Sequence, residues 1–403
     1  MNKKLFPILS AFLLLFSLIE KGQATETYRP ETSVAGFIQL PGSGRQVYNF
    51  NPGWRFFKGD IHGAESVDFD DRSWTIVSTP HTVELMPAEA SGCRNYQGPA
   101  WYRKHFVLPA ETKGKRVLIH FEAAMGKQVL YLNGKRIQEH VGGYLPFTLD
   151  LTTNGIQAGD SCLLAIFVDN SNDKSFPPGK PQYTLDFAYH GGIYRDVWMI
   201  AKSPVSITDP LDSQTVAGGG VFVHFDKISE KSAQVYVNTE LQNDNQHTET
   251  VTVETTLTDA DGKVIKRTSG KLSLKSGEKK IIRQQIEVKS PKLWSPDAPY
   301  LYKVQSRIKK GNQSIDGGIT RIGIRLAEFR GKDGFWLNGK PFVQLVGANR
   351  HQDFAYVGNA LPNSQQWRDA KRLRDAGCTI IRVAHYPQDP SFMDACDELG
   401  MFV

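Results

Sequence analysis

The sequence predicts a multidomain protein in which two β-sandwiches are followed by an α/β segment. Short β-rich runs separated by turn residues fill residues 25–202, where helical spacing is nearly absent. A second set of alternating polar and apolar runs fills residues 203–325. From residue 326 onward a continuous apolar run gives way to helical spacing, which is typical of alternating strands and helices. We therefore expect three domains, mainly β and then α/β.

The composition is that of a globular protein without a nucleic-acid partner. Of the 403 residues, 40% are hydrophobic and 22% are charged, which excludes disorder, collagen-like repeats and a membrane bundle. The formal charge of +6 would fall to +4 with loss of residues 1–24, and no dense Lys/Arg block is present. Cys93, Cys162, Cys378 and Cys396 lie far apart, so they predict neither a zinc site nor a disulfide scaffold.

Residues 1–24 have the pattern of a secretory signal peptide. Lys3 and Lys4 precede an apolar run over residues 5–19, and a small-residue cleavage site ends at Ala24. A membrane anchor is the alternative, but this run is shorter than the ~20 residues that span a bilayer. We therefore expect cleavage after Ala24, a periplasmic or secreted protein, and no membrane attachment afterwards.

The first sandwich is predicted from strand runs and one turn. The strand runs are residues 117–121, 128–132 and 163–168. The second run ends in Asn133 and Gly134, the pair that a type I′ hairpin turn favours because both positions need positive φ.

The second sandwich is predicted from the same kind of pattern. Its alternating runs are residues 235–237, 251–257 and 281–288, with turn pairs Asp261-Gly262 and Ser276-Gly277. The segment resembles an immunoglobulin-like module. Its polar residues are expected to face water, so we interpret it as a spacer.

The α/β segment begins with a predicted strand over residues 342–346, whose apolar run is typical of a parallel strand buried on both faces. A helix follows, with Asn363 and Gln366 placed as a capping box and Gly377 as the C-terminal stop. A second strand over residues 378–383 comes next.

A second helix is predicted to open at Asp389 and Pro390 and to close at Gly400, before residues 401–403 begin a third strand. Residues 326–403 supply 78 positions, whereas a closed (β/α)₈ barrel takes ~250. We therefore expect the incomplete start of a TIM barrel, belonging to a longer enzyme.

Five stretches, in this order along the chain, resemble glycoside hydrolase family 2, which contains β-galactosidases, β-glucuronidases and β-mannosidases. The stretches are residues 98–106, 186–197, 294–302, 347–353 and 382–387. The resemblance implies a sugar-binding jelly roll at residues 25–202, an immunoglobulin-like sandwich at 203–325 and the N-terminal part of a catalytic TIM barrel at 326–403.

Polar residues at the ends of the two predicted barrel strands indicate a pocket. Asn349, Arg350 and His351 are expected to follow the first strand, and Arg382 and His385 lie at the end of the second. Loops at this end of a barrel converge on one face, and neutral His and Asn can both donate to and accept from sugar hydroxyls. The alternative is that Arg382 is a salt-bridged barrel residue and the histidines support the pocket from behind.

The resemblance assigns roles to five residues. His351 and His385 match histidines that contact the sugar, and Arg382 matches an arginine beside the nucleophilic carboxylate. Asp186 matches an acidic residue that reaches from the jelly roll into the barrel pocket, although a turn aspartate that caps local backbone donors is an equal alternative. Asn95 matches, over a loose local alignment, a second sugar contact from the jelly roll.

Some positions depart from the family pattern. Gln352 stands where the family often has Glu, and Thr379 and Val383 stand where it usually has Asn and a small residue. Arg350 agrees with the β-galactosidases, whereas the β-glucuronidases tend to carry Lys. The departures leave the exact substrate open, and Arg350 favours a β-galactoside first and a β-glucuronide next.

The catalytic carboxyl groups are expected outside this chain. Retaining glycosidases need two carboxyls ~5–5.5 Å apart, and the resemblance places both glutamates on later barrel strands, beyond Val403. Glu328 and Glu398 are not expected to meet in the pocket, and neither a metal nor a cofactor is predicted here. Residues 1–403 alone are therefore expected to be inactive. They are also expected to aggregate, because the open barrel strand leaves apolar faces and unpaired backbone groups exposed.

The predicted function is that of an exported, retaining exo-β-glycosidase acting on a β-linked oligosaccharide or glycoside. The full-length protein could form a homo-oligomer, and the sequence leaves its oligomeric state open. The alternative is a non-catalytic carbohydrate-binding protein in which the jelly roll binds sugar and the barrel start is incidental.

Overall fold

The computed structural model describes residues 39–86, 95–343 and 345–403. The predicted signal peptide and Cys93 lie outside the described residues. No helix among the described residues has the length and hydropathy of a membrane span.

Ten antiparallel strands build the jelly roll. They are β1 (Gln46–Asn49), β2 (Trp54–Lys58), β3 (Thr75–Val77), β4 (Pro99–Val107), β5 (Arg116–Phe121), β6 (Lys127–Leu132), β7 (Lys135–Val141), β8 (Phe147–Asp150), β9 (Ser161–Asp169) and β10 (Val197–Lys202). One sheet has the order β1-β10-β5-β8 and the other the order β3-β2-β4-β9-β6-β7. Trp54, Phe121, Leu130 and Ile166 are fully buried between them.

The predicted strand runs and hairpin of this domain are confirmed. Residues 117–121, 128–132 and 163–168 fall within β5, β6 and β9. Asn133 and Gly134 join β6 to β7 with φ of 50° and 81°, the left-handed backbone that this turn requires.

Eight further strands form the immunoglobulin-like sandwich. They are β11 (Val205–Ile207), β12 (Val221–Asp226), β13 (Ser232–Asn243), β14 (Glu249–Thr258), β15 (Val264–Leu274), β16 (Lys279–Lys289), β17 (Tyr302–Lys310) and β18 (Gln313–Ile322). β13 pairs with β11, β12 and β16, and the facing sheet has the order β15-β14-β17-β18. Val235, Leu257, Ile286 and Val304 form the centre of its core, so inward apolar side chains alternate as predicted.

The last segment is the start of a TIM barrel that does not close within the described residues. A small antiparallel sheet of β19 (Ala327–Phe329), β20 (Phe335–Leu337) and β21 (Lys340–Pro341) leads into it. The barrel elements are β22 (Gly347–Arg350), α1 (Asn363–Asp375), β23 (Ile380–Val383) and α2 (Pro390–Leu399). β22 and β23 are parallel, and Phe402 bridges to Ile380 in the same sense, as expected for a third strand.

The predicted first barrel strand at residues 342–346 is wrong, because the strand is β22, directly after that run. Val343 and Val346 are 90% and 61% exposed. Gly347 decides the register: a Cβ there would lie 1.8 Å from the carbonyl oxygen of Ile380, so only glycine allows the two strands to pair. Asn349 therefore lies inside the strand rather than after it.

The predicted capping box of α1 is also wrong, because both of its residues are used elsewhere. The N-cap is Pro362, without a side-chain hydrogen bond. Asn363 donates to Asp196 of the jelly roll at 2.9 Å, and Gln366 accepts from Arg350 at 2.8 Å. The predicted start of α2 is confirmed, since the Asp389 carboxylate accepts from the Ser391 amide.

A buried ion pair joins the jelly roll to the second sandwich. Asp316 has no exposed surface and binds Arg45 through two hydrogen bonds of 2.8 and 2.9 Å. The same carboxylate accepts from the backbone N–H of Ile207 at 2.8 Å. The Asp316 side chain of β18 thus binds both Arg45, which directly precedes β1, and the backbone of β11.

Asp316→Asn in the complete protein should lower the free energy of unfolding by roughly 3 kcal/mol, because the Arg45 guanidinium would keep its position without a compensating charge. Urea denaturation followed by fluorescence measures the change. The control is Asp70→Asn, which removes an exposed pair with Arg72 and should leave the urea midpoint unchanged within error. Equal midpoints for both variants would contradict the prediction.

Candidate functional site

Two paired barrel strands place Asn349 and Arg382 opposite each other. The two residues are direct partners in the parallel register of β22 and β23. Arg382 Nη1 donates to Asn349 Oδ1 at 3.4 Å, and both residues are exposed. Ile381 faces the helices and is fully buried against Phe392. Because side chains alternate along a strand, Asn349 and Arg382 occupy the face turned away from the helices.

The structure places Arg350 on the helix side of the sheet, which corrects its assignment to the pocket rim. Arg350 is 4% exposed and donates to Asp369 and Gln366 at 2.8 Å and to Gln388 at 2.5 Å. Its guanidinium also lies 4.1 Å from the Phe392 ring centroid. Arg350 therefore cannot distinguish a galactoside from a glucuronide by direct contact.

The two predicted sugar-contacting histidines meet above this strand pair. The ring centroids of His351 and His385 are 5.4 Å apart, with an interplanar angle of 77°. Phe187, from the jelly roll, lies 5.7 Å from the His351 ring and 5.6 Å from the His385 ring. The buried Nδ1 of His351 has no hydrogen-bond partner within the described residues. The pair thus offers polar ring atoms next to an aromatic wall.

Asp186 approaches this pair from the jelly roll. Its carboxylate oxygen lies 3.9 Å from Nε2 of His385, and its side chain is 82% exposed. The His385 side chain is 34% exposed. A ligand can therefore reach Asp186 and the histidine together, as the pocket prediction requires.

Asn95 is engaged inside the jelly roll. Its amide nitrogen donates to the carbonyl of Tyr189 at 3.1 Å, and its amide oxygen accepts from Gln182. Gln182 in turn accepts from the backbone N–H of Tyr189 at 2.9 Å. These bonds brace the segment that carries Asp186, so the position of Asn95 is that of a support for the loop. Its role as a sugar contact stays a prediction.

Arg195 is a buried arginine that the sequence analysis missed. It is 2% exposed, and its Nη2 donates to Gln352 Oε1 at 3.0 Å and to the carbonyl of Pro387 at 2.8 Å. Its Nη1 donates to the carbonyl of Tyr144 at 3.2 Å. Its place in the family-like stretch over residues 186–197 was the available signal, but its partners are distant in sequence. Gln352, noted as a departure from the family pattern, is one of them.

Three buried carboxyls, on Glu122, Asp196 and Asp389, interact with one another, and two of them, Glu122 and Asp389, also interact with this arginine. Burial, then Asp389 and Asp196, raise the pKa of Glu122 well above its ordinary value. Burial and Asp389 also raise the pKa of Asp196. Glu122 accepts from the indole N–H of Trp198 at 2.9 Å. A cavity of about 210 Å³ borders Glu122 and Arg195 at the joint between jelly roll and barrel.

Glu122→Gln in the complete protein should raise the urea midpoint at pH 7 and have little effect on it at pH 4. A carboxyl with a raised folded-state pKa is protonated in both states below the ordinary value of 4.5. Above it the unfolded chain ionises first, so the folded protein loses stability as the pH rises. The amide oxygen of Gln can still accept from Trp198.

The measurement is a pair of urea titrations at each pH, compared with Glu230→Gln, a variant at an exposed surface position. Glu230→Gln should not change the midpoint at either pH. A Glu122→Gln midpoint below that of the wild type at pH 7 would contradict the prediction.

The two glutamates of the barrel segment are engaged away from the histidines. Glu398 on α2 forms an ion pair with Arg321 of β18, and Glu328 forms one with Arg330 at 2.8 Å. Among the described residues no group of three or more His, Cys, Asp or Glu side chains is arranged to hold a metal ion.

Three family models match the chain in succession. The sugar binding domain of glycosyl hydrolases family 2 matches residues 64–204, the model named for the family itself matches residues 219–325, and its TIM barrel domain matches residues 329–403. The chain belongs to glycoside hydrolase family 2. The predicted family and fold class are confirmed.

Curated relatives include both kinds of glycosidase. A β-galactosidase from Thermoanaerobacter pseudethanolicus is 36% identical over 366 residues, covering 89% of this chain and 46% of that protein. A β-glucuronidase from Formosa agariphila is 34% identical over 376 residues, covering 90% of this chain and 38% of that protein. The family 2 chain described here thus spans less than half the length of these relatives.

Solved family 2 structures match with the same coverage. A family 2 β-glucuronidase superposes with a TM-score of 0.80 at 32% identity, covering 90% of this chain and 39% of that chain. Bacteroides uniformis β-glucuronidase 2, covalently bound to cyclophellitol-6-carboxylate aziridine, gives a TM-score of 0.79 at 31% identity, covering 89% and 42%.

Proposed function

We propose that the protein containing this chain is an exported, retaining exo-β-glycosidase that removes a terminal β-galactose or β-glucuronic acid. The observation that supports it is the juxtaposition of His351, His385 and Asp186 from two domains, with the ring pair 5.4 Å apart and the carboxylate 3.9 Å from His385. Groups held by separate domains and left open to solvent suit a ligand that enters between them.

The chemistry of these groups matches a pyranose. A carboxylate accepts hydroxyl protons, and each neutral imidazole offers one donor and one acceptor. Phe187, beside both rings, provides an apolar wall of the kind that sugar ring faces pack against. Burying hydroxyls against such fixed partners rejects epimers, because a wrong epimer leaves polar groups unpaired.

Arg382 and Asn349 are proposed to prepare the reacting position. The guanidinium lies on the open face of the strand pair, bound to the Asn349 amide oxygen at 3.4 Å. A cation there favours the ionised form of a neighbouring carboxylate and orients it bidentately. In the proposed enzyme that carboxylate is the nucleophilic glutamate from a later barrel strand.

The proposed reaction is a double displacement. The nucleophilic carboxylate attacks the anomeric carbon while a second carboxyl protonates the leaving oxygen, which gives a covalent glycosyl-enzyme. Water then attacks that carbon as the second group, now a base, takes its proton. Both carboxyls are expected outside residues 1–403.

The complete protein should hydrolyse the nitrophenyl β-galactoside or the β-glucuronide, and it should leave the α-galactoside intact. Release of nitrophenol, followed by absorbance, measures turnover. No turnover of any β-glycoside in a panel that includes the β-mannoside would contradict the proposal. The isolated chain of residues 1–403 should give no turnover, because it is expected to lack both catalytic carboxyls.

His351→Ala and His385→Ala in the complete protein should each lower kcat/KM by about 10- to 100-fold, the loss expected for one hydrogen bond to a buried hydroxyl. His247→Ala is the matched control, because that histidine lies in the second sandwich and pairs with Glu249. It should leave kcat and KM unchanged. Equal activity of all three variants would contradict the assignment.

Asp186→Ala distinguishes the proposal from a non-catalytic sugar-binding protein. In the proposed enzyme this substitution should weaken sugar binding by about 10-fold or more, because the carboxylate contributes to the pocket. Isothermal titration with galactose and glucuronate measures it. Sugar binding that survives unchanged, in a protein without turnover, would favour a jelly roll that binds sugar elsewhere.

A further inference from the structure

The two histidine-bearing loops are joined by a single nitrogen atom. Nη2 of Arg195 donates to Gln352, the residue directly after His351, and to the carbonyl of Pro387, two residues after His385. The donor distances are 3.0 and 2.8 Å. A shift of Arg195 would therefore act on both loops at once.

Arg195 itself is fixed to the jelly roll. Its Nη1 donates to the carbonyl of Tyr144, and the ring of Tyr144 stacks on Tyr386 with centroids 4.3 Å apart and planes within 6°. Its Nε lies 3.9 Å from the carboxylate of Asp389, which caps α2. The guanidinium thus contacts the jelly roll, both barrel loops and the start of a barrel helix.

The neutral side chain of Gln352 suits this position. Glu122 and Asp389 already place two carboxyls near one buried guanidinium. A glutamate at position 352 would add a third, whereas an amide oxygen accepts the hydrogen bond without adding charge. The family's frequent Glu can therefore be absent here without loss of the link.

We propose that Arg195 is a positioning residue, which sets the separation of His351 and His385 through Gln352 and Pro387 and thereby makes the pocket depend on docking of the jelly roll. The inference rests on the proposed function for its effect on catalysis. The effect of Arg195 on the spacing of the two histidines does not depend on which sugar is cleaved.

Arg195→Met in the complete protein removes the hydrogen bonds and keeps an apolar stem. We expect kcat/KM on the active β-glycoside to fall about 10- to 100-fold with a loss in kcat, because a misplacement of about 1 Å can cost about 100-fold. Arg195→Lys keeps the charge but not the fork of donors, so it should restore activity only in part.

Arg116→Met is the matched control. Arg116 is a partly buried jelly-roll arginine that binds Asp150 at 2.7 Å, and it reaches Asp212 and Asp244 of the second sandwich. Losing it should lower Tm but leave kcat and KM within about twofold of the wild type, since ion-pair loss at a site remote from the pocket acts on stability. If Arg116→Met lowers Tm as much as Arg195→Met does but keeps its activity, the activity loss of Arg195→Met comes from positioning of the loops and not from lower stability.

A double-mutant cycle tests the pathway through Gln352. Gln352→Met should lower kcat/KM by itself, and adding it to Arg195→Met should cost little more, because both changes break the same link. Full additivity of the two effects would overturn the pathway.

A crystal structure of Arg195→Met supplies a readout that does not need turnover. The His351–His385 centroid distance should move away from 5.4 Å. An unchanged distance, or kcat and KM equal to those of the wild type with only Tm lowered, would overturn the proposal. If the wild type hydrolyses no β-glycoside, the proposed function fails, and the histidine spacing still decides the positioning role.

Discussion

The parallel pairing of β22 with β23 is the constraint on which the site depends. The close contact of Gly347 with the Ile380 carbonyl fixes the register. Strand alternation then sends Arg350 toward the helices and leaves Asn349 and Arg382 on the opposite face. Shifting the pairing by one residue would exchange these faces. One backbone contact therefore selects which polar side chains are available to a ligand.

The candidate site is shared between domains. The jelly roll places Asp186 and Phe187 beside the histidine pair. Its Arg195 binds the two barrel loops that carry these histidines. Family 2 membership accounts for the order of the domains. Membership alone does not explain why the sugar-binding sandwich packs against the barrel. The shared site gives a physical reason, because neither domain alone presents both the histidine pair and the Asp186 carboxylate.

Local patterns predicted the sandwiches because strand runs and turns are short-range signals. The Asn133-Gly134 hairpin and the Asp389 cap formed as expected, since each needs only neighbouring residues. The strand at residues 342–346 failed because apolar composition does not specify register. The capping box at Asn363 failed because a distant partner, Asp196, binds that side chain instead. Tertiary demands overrode local preference at both positions.

The same distinction applies to the site. Family motifs pointed to His351 and His385, and the structure places their ring centroids 5.4 Å apart. The stretch over residues 186–197 includes Arg195, but it gave that residue no role, and no motif indicated the inward turn of Arg350. Both features are defined by partners in other elements. Residues that position the pocket loops are recognised from their contacts in the structure rather than from the sequence.

The links from Arg195 to the barrel close chain segments of 157 and 192 residues. Closing long loops costs entropy that local contacts do not cost, so these bonds should form late, after the sandwiches have gained their own cores. During synthesis the N-terminal domain emerges and folds first. The folded jelly roll would then present Arg195 to the barrel loops as they emerge. The order of the domains in the gene would thus help to position the two histidines of the pocket.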